Sequence, residues 1–176
     1  LVVVDEAYAE LVDAPDYASA LGVLVQYPNL IVTRTFSKAY ALAGARVGYA
    51  IAHPDCIAVM ERVRESFNVN ALGLAAAEAA LADTAHLQAT VAANARQRQL
   101  LADALRARGL WVSPSQTNFL LVEFGEATAR IEAALVQRGV ILRPMGGYGL
   151  GDCLRITVGT AEQNACLLVA LDEVMA

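Results

Sequence analysis

The chain has 176 residues, 57% of them hydrophobic and 18% charged, with a net charge of −5 at pH 7. So apolar a chain can offset its ordering entropy by burial, which excludes disorder. The acidic balance comes without the basic stripe that a nucleic-acid partner requires. The longest charge-free stretch, residues 17–33, is broken by Gln26, Pro28 and Asn29 and falls short of a membrane span. Cys56, Cys153 and Cys166 are odd in number and widely spaced. They form neither a disulfide framework nor a zinc pattern, and they fit a reducing cytoplasm.

Leu1 to Val4 is a β-branched run that reads as a strand covered on both faces. Such a strand at the first residue, with no initiator Met and no polar tail, suggests a C-terminal fragment of a longer protein. Ala18 to Gln26 reads as a helix, broken by Tyr27-Pro28-Asn29. Leu30 to Arg34 and Val47 to Ala52 read as the next strands, and strand–helix–strand order predicts parallel pairing. Ile57, Met60, Val63 and Arg64 have helical spacing. Ala71 to Leu81 reads as a well-buried Ala-rich helix, and His86 to Arg108 as a longer amphipathic one stopped by Gly109. Strands are then expected at Trp111–Val112, Asn118–Phe124, Val140–Arg143 and Leu154–Val158. Helices are expected at Ala127–Arg138 and Ala161–Met175. The fold class is α/β, with part of a large parallel or mixed-sheet domain over 1–85 and a small α+β domain over 86–176.

Chemistry concentrates in Thr35-Phe36-Ser37-Lys38 and Ala43-Gly44-Ala45-Arg46. This loop follows the second strand, at the carboxyl end where open α/β sheets place ligands. Hydroxyls and a guanidinium suit a phosphate. Lys38 is a second phosphate contact, an amine nucleophile toward a carbonyl cofactor, or a solvated surface lysine. Asp5, at the carboxyl end of the first strand, reaches the same rim. It either caps the next helix or pairs with a cationic group such as a pyridinium nitrogen, and Tyr8 follows three residues later. Near the C-terminus, Arg155 lies within the apolar strand Leu154 to Val158, where a buried guanidinium needs an anionic partner. His53 and His86 lack a second ligand-type residue at metal spacing, so no metal site is expected.

Together these segments resemble the fold-type I pyridoxal-phosphate (PLP) aminotransferases. The Asp5-x-x-Tyr8 strand end, the Thr35-x-Ser37-Lys38 loop and Arg46 eight residues on match that family in order and spacing. Within it, the phrases Asp5 to Tyr8, Ser37 to Gly44, Ser115 to Leu120, Val140 to Pro144 and the Arg155 strand are similar to the histidinol-phosphate aminotransferases. The resemblance implies that Lys38 carries PLP covalently and serves as catalytic base and acid. It implies that Asp5 pairs with the pyridine nitrogen and Tyr8 with the ring hydroxyl, while Thr35, Ser37 and Arg46 hold the cofactor phosphate. Arg155 would clamp the substrate α-carboxylate, with Arg143 the second cation for a phosphorylated substrate. It further implies transamination between histidinol phosphate and 2-oxoglutarate by a cytoplasmic homodimer, with no nucleic-acid or membrane partner. Part of such a site lies in the family's N-terminal half, so the isolated chain is expected to bind PLP poorly and to be inactive. The glycine loop Gly146 to Gly149 reads as a turn rather than a phosphate cradle.

Overall fold

A computed structural model of the chain describes residues 1–175. The chain divides into two compact units, Leu1–Val91 and a second beginning at Ala92, the division falling inside a long helix.

The first unit is built on a three-stranded mixed sheet in the order β1-β2-β3. Strand β1 (Val2–Asp5) runs parallel to β2 (Leu30–Thr35), and β3 (Gly48–Ala52) runs antiparallel to β2. The central strand supplies the core through Leu30, Ile31 and Val32, all buried. Strand β1 departs from expectation: it is an edge strand, and Val2 and Val3 are exposed. The segment linking β1 to β2 also differs. In place of the helix expected over Ala18–Gln26 there is a 3₁₀ turn at Ala20–Gln26, opened by Ser19, whose Oγ accepts from the Leu21 amide. Gly22, Val23 and Val25 are poor helix formers, and the segment is too short to offset that.

Helix α1 (Pro54–Val63) starts at His53, whose Nδ1 accepts from the Asp55 amide, so this histidine is a helix cap. Helix α2 (Ala71–Ala82) is capped by Asn70, whose Oδ1 accepts from the Gly73 amide at 2.7 Å. The expectation that α2 is well buried is corrected. Only Gly73 and Ala77, one turn apart on a single stripe, are buried, while Leu72 is 84% exposed and Leu74 and Leu81 also face outward. Alanine makes a helix without making a wide core face.

The second unit is an antiparallel sheet in the order β4-β5-β7-β6: β4 (Trp111–Val112), β5 (Phe119–Glu123), β6 (Arg143–Pro144) and β7 (Cys153–Thr157). One face of the sheet is apolar by strict alternation, with Leu120, Val122, Leu154 and Ile156 fully buried. Against it pack Leu101 and Leu105 of α3 (Thr84–Ala107), Ile131 and Leu135 of α4 (Thr128–Val136), and Leu167 and Leu171 of α5 (Ala161–Met175). Each helical pair is spaced i, i+4, the repeat that keeps two side chains on one face.

Strand β6 is shorter than the expected Val140–Arg143. Gly139 adopts φ +75° and closes a Schellman cap on α4, in which the Val140 amide donates to Leu135 O and the Gly139 amide to Val136 O. Val140 is thereby committed to the helix end, and Pro144 has no amide to extend the ladder. Among the described residues, no helix is long and apolar enough to cross a membrane.

Candidate active site

In the first unit the Lys38 loop joins β2 to β3. Phe36 points inward and is buried with Val47 and Ala77, its ring 5.0 Å from that of Tyr40 and 5.6 Å from that of Tyr49. The Phe36 amide donates to Val47 O, the Leu42 amide to Phe36 O, and the Ala41 amide to Lys38 O. The loop is thus closed on itself by backbone bonds, with one aromatic anchor beneath. Thr35 Oγ1 accepts from the Ser37 amide at 3.1 Å, which sets the direction of the chain just before Lys38. Lys38 Nζ lies 5.1 Å from the centroid of the Tyr8 ring and joins none of the ion pairs among the described residues.

Two non-glycine residues of this loop, Ala41 and Arg46, hold left-handed backbone at φ 57°. That conformation costs an L-residue about 1 kcal/mol or more and persists only where surroundings impose it. At Arg46 it turns the side chain back so that Nη1 donates to Ala43 O at 2.8 Å. Helix α2 buttresses the turn from outside. Asn70 Nδ2 donates to Ala45 O, and a Cβ at Gly73 would lie 2.9 Å from that oxygen and 3.0 Å from Val47 Cγ2. Gly73→Ala is therefore expected to force α2 off the loop and to destabilise the chain by about 1–3 kcal/mol, measured by denaturant unfolding. An unchanged midpoint would show that the helix slides without cost.

Asp5 sits at the end of β1, exposed, where its Oδ1 accepts from the Ala7 amide at 3.1 Å and from Thr33 Oγ1 at 3.3 Å. The capping alternative is settled against. The next helical turn is a 3₁₀ turn at Ala9–Leu11 whose cap position is Tyr8, so Asp5 makes a local turn and keeps its remaining acceptor positions outward.

Sequence reasoning missed the ion pair on the opposite side of the strand. Glu6, with its side chain 4% exposed, takes two hydrogen bonds from Arg34, at 3.1 Å from Nε and 2.7 Å from Nη2. Ser19 Oγ and the Ala20 amide also donate to it, and Arg34 reaches Glu10 at 3.4 Å. Burial works against ionising Glu6, but the Arg34, Ser19 and Ala20 hydrogen bonds outweigh it and hold the carboxyl below the usual range. A further overlooked signal lay in plain counting. Of the 13 basic residues, Lys38 is the only lysine.

In the second unit the alternation that buries Leu154 and Ile156 puts Arg155 on the other face of the sheet, away from the core. The reading of Arg155 as a guanidinium inside an apolar strand is corrected accordingly: it is half-buried, with its Cζ 5.0 Å from the centroid of the Phe119 ring. None of the ion pairs among the described residues involves it, and its buried Nε has no hydrogen-bond partner. Arg143 is its direct cross-strand partner, as Leu121 is on the other flank. Residues paired in this way share a face, with Cβ atoms about 5 Å apart. Two like charges set opposite each other form a site that asks for an anion.

The sequence profile of the family described as aminotransferase class I and II matches residues 1–171. The chain belongs to this family. It is 50% identical over 175 residues to histidinol-phosphate aminotransferase 2 of Methylococcus capsulatus, covering 99% of this chain and 47% of that protein. It is 51% identical over 176 residues to histidinol-phosphate aminotransferase 1 of Thiobacillus denitrificans, covering 100% and 46%. Among solved structures, the histidinol-phosphate aminotransferase of Sinorhizobium meliloti in complex with pyridoxal-5'-phosphate superposes with a TM-score of 0.88 at 37% identity, covering 99% of this chain and 48% of that one. The chain spans about half the length of the curated relatives it matches. For an aminotransferase of this family, the α/β class and mixed sheet are as expected.

Proposed function

We propose that the chain is the lysine-bearing part of a PLP-dependent aminotransferase that interconverts histidinol phosphate plus 2-oxoglutarate with imidazole acetol phosphate plus glutamate. The observation that carries this reading is identity of about half the residues, along the whole chain, to two proteins of that name.

The residues present fit the cofactor chemically. Lys38 offers an amine unencumbered by an acid, and Asp5 a carboxylate held at a strand end with acceptor positions to spare. The loop that carries Ser37 and Arg46 is held in imposed left-handed backbone at two positions. Pyridoxal phosphate supplies an aldehyde that captures amines and an electron-withdrawing ring. Lys38 would hold it through its amine, and that amine, when free, would be the base and acid that moves a proton at the substrate α-carbon. Asp5 would pair with the ring nitrogen and Tyr8 with the ring hydroxyl. Thr35, Ser37 and Arg46 would hold its phosphate. Arg155 takes the α-carboxylate of glutamate, and Arg143 with Arg155 takes the phosphate of the partner substrate.

The reading carries a homodimer working in the cytoplasm on small molecules, without nucleic acid or membrane. Apolar side chains left outside, including Phe67 at 97% exposure with Leu72 and Leu74, support a covered surface. The test is turnover by the whole encoded protein. Histidinol phosphate is expected to be preferred over phenylalanine, and phosphothreonine is expected not to be decarboxylated. A clear preference for either competitor overturns the substrate assignment.

A further inference from the structure

The Gly146–Gly149 segment is more than a turn between two strands. It folds as a compact loop in which the Tyr148 and Leu150 amides donate to Met145 O, the Gly149 amide to Gly146 O, and the Cys153 amide to Leu150 O. Gly149, at φ +77°, makes the reversal, and the Met145 amide returns to Cys153 O, so both ends are pinned to β7. Backbone bonds thus hold Tyr148 at a fixed place, although its side chain is 65% exposed.

That place is beside Arg143. Arg143 Nη2 donates to Tyr148 Oη at 3.2 Å, and the guanidinium carbon lies 5.8 Å from the centroid of the ring. A phenol that accepts a hydrogen bond still has its own proton to give. Its neighbour donates and cannot receive that proton, so the hydroxyl is polarised by a cation and free to donate elsewhere. Across the sheet, Arg155 Nε is a buried donor with no partner. A buried unsatisfied donor is costly, and supplying its partner recovers that cost.

The geometry points to Tyr148 as a specificity-determining residue that completes a three-donor pocket with Arg143 and Arg155 for a phosphate monoester. Three oxygens on a tetrahedral anion can take the two guanidinium groups and the phenol at once. A carboxylate has two oxygens in one plane, suited to one bidentate guanidinium, and leaves the phenol unused. Tyr148 therefore separates phosphorylated substrates from plain amino acids at this face of the sheet. The inference rests on the aminotransferase reading for its biological meaning, but the anion pocket lies wholly within the second unit and is measured without the cofactor.

The test is a titration of the chain with inorganic phosphate and, separately, with glutarate, followed by NMR at the Arg143 and Arg155 Nε–H signals and the Gly146–Gly149 amides. Wild type is expected to bind phosphate saturably, with the Arg155 Nε–H signal moving most. Tyr148→Phe is expected to weaken phosphate by about tenfold, the loss of one hydrogen bond to a charged group, and to leave glutarate within about twofold. Arg143→Gln should weaken phosphate further. Thermal melts identical to wild type show that the phenylalanine variant keeps its fold. Equal loss for both anions, no loss for phosphate, or no phosphate binding by wild type overturns the inference. Phosphate binding that depends on Tyr148 in a protein that does not transaminate would remove the aminotransferase reading and leave this site standing.

Discussion

Lys38→Ala is expected to abolish covalent capture of pyridoxal phosphate and to lower transamination by the whole encoded protein by at least about 10³-fold, since in the proposed function one side chain both carries the cofactor and moves the proton. Lys38 is the only lysine in the chain, which makes the measurement unusually clean. After borohydride reduction, a phosphopyridoxyl adduct on a peptide of this chain should map to Lys38 and vanish in the variant. An adduct that persists after the substitution would mean that the nucleophile has been misassigned. Because the Lys38 amine joins none of the ion pairs among the described residues and lies against the Tyr8 ring, at 5.1 Å from its centroid, the alanine variant without cofactor should melt close to wild type. Loss of activity would then be loss of chemistry.

The second large effect concerns stability. Glu6→Gln removes the charge from a carboxylate that holds Arg34 by two hydrogen bonds, and breaking a buried ion pair costs about 3–5 kcal/mol. The lower end, about 3 kcal/mol, is expected because Arg34 is 18% exposed and keeps Glu10 at 3.4 Å. The pair also sets a pH dependence. The folded-state pKa of Glu6 lies below its unfolded value, so its contribution is complete above the usual carboxylate range and is lost as pH falls through the folded value. Urea unfolding below neutral pH should show wild type losing stability more steeply than Glu6→Gln as acid is added. Parallel pH slopes for the two proteins would remove Glu6 from the account. Tilting of the β1 end should follow, since Asp5 is the next residue and its Oδ1 bond to Thr33 depends on the same two strands lying in register.

The segments proposed to hold the cofactor stand out in the sequence because their logic is local. A strand end followed by a hydroxyl–lysine loop and an arginine eight residues on is a pattern carried by spacing, and Phe36 is the apolar residue of that loop that anchors it in the core. The helix boundaries of the second unit were readable for a similar reason. Gly109 and Gly139 stop α3 and α4 at positive φ, a conformation that glycine adopts without penalty. What remained hidden depended on register. Glu6 and Arg34 stand 28 positions apart, and only the parallel pairing of Asp5 with Thr33 places them side by side. Arg155 was visible as a cation in an apolar run, but its face was not, because a period of two needs the position of the helices to say which side is core.

By itself the sequence determined the family and singled out the candidate nucleophile and cofactor contacts, because these are matters of residue type at short spacing. Tertiary structure alone decided which charges meet. It turned Arg155 out of the core and set Arg143 opposite it. It placed Tyr148 on that arginine through a loop closed by backbone hydrogen bonds, and it buried Glu6 against Arg34. The physical reason is common to all of these. A strand's side chains have no partner until another strand fixes their register, and a charge has no assigned role until that register shows whether it faces protein or ligand.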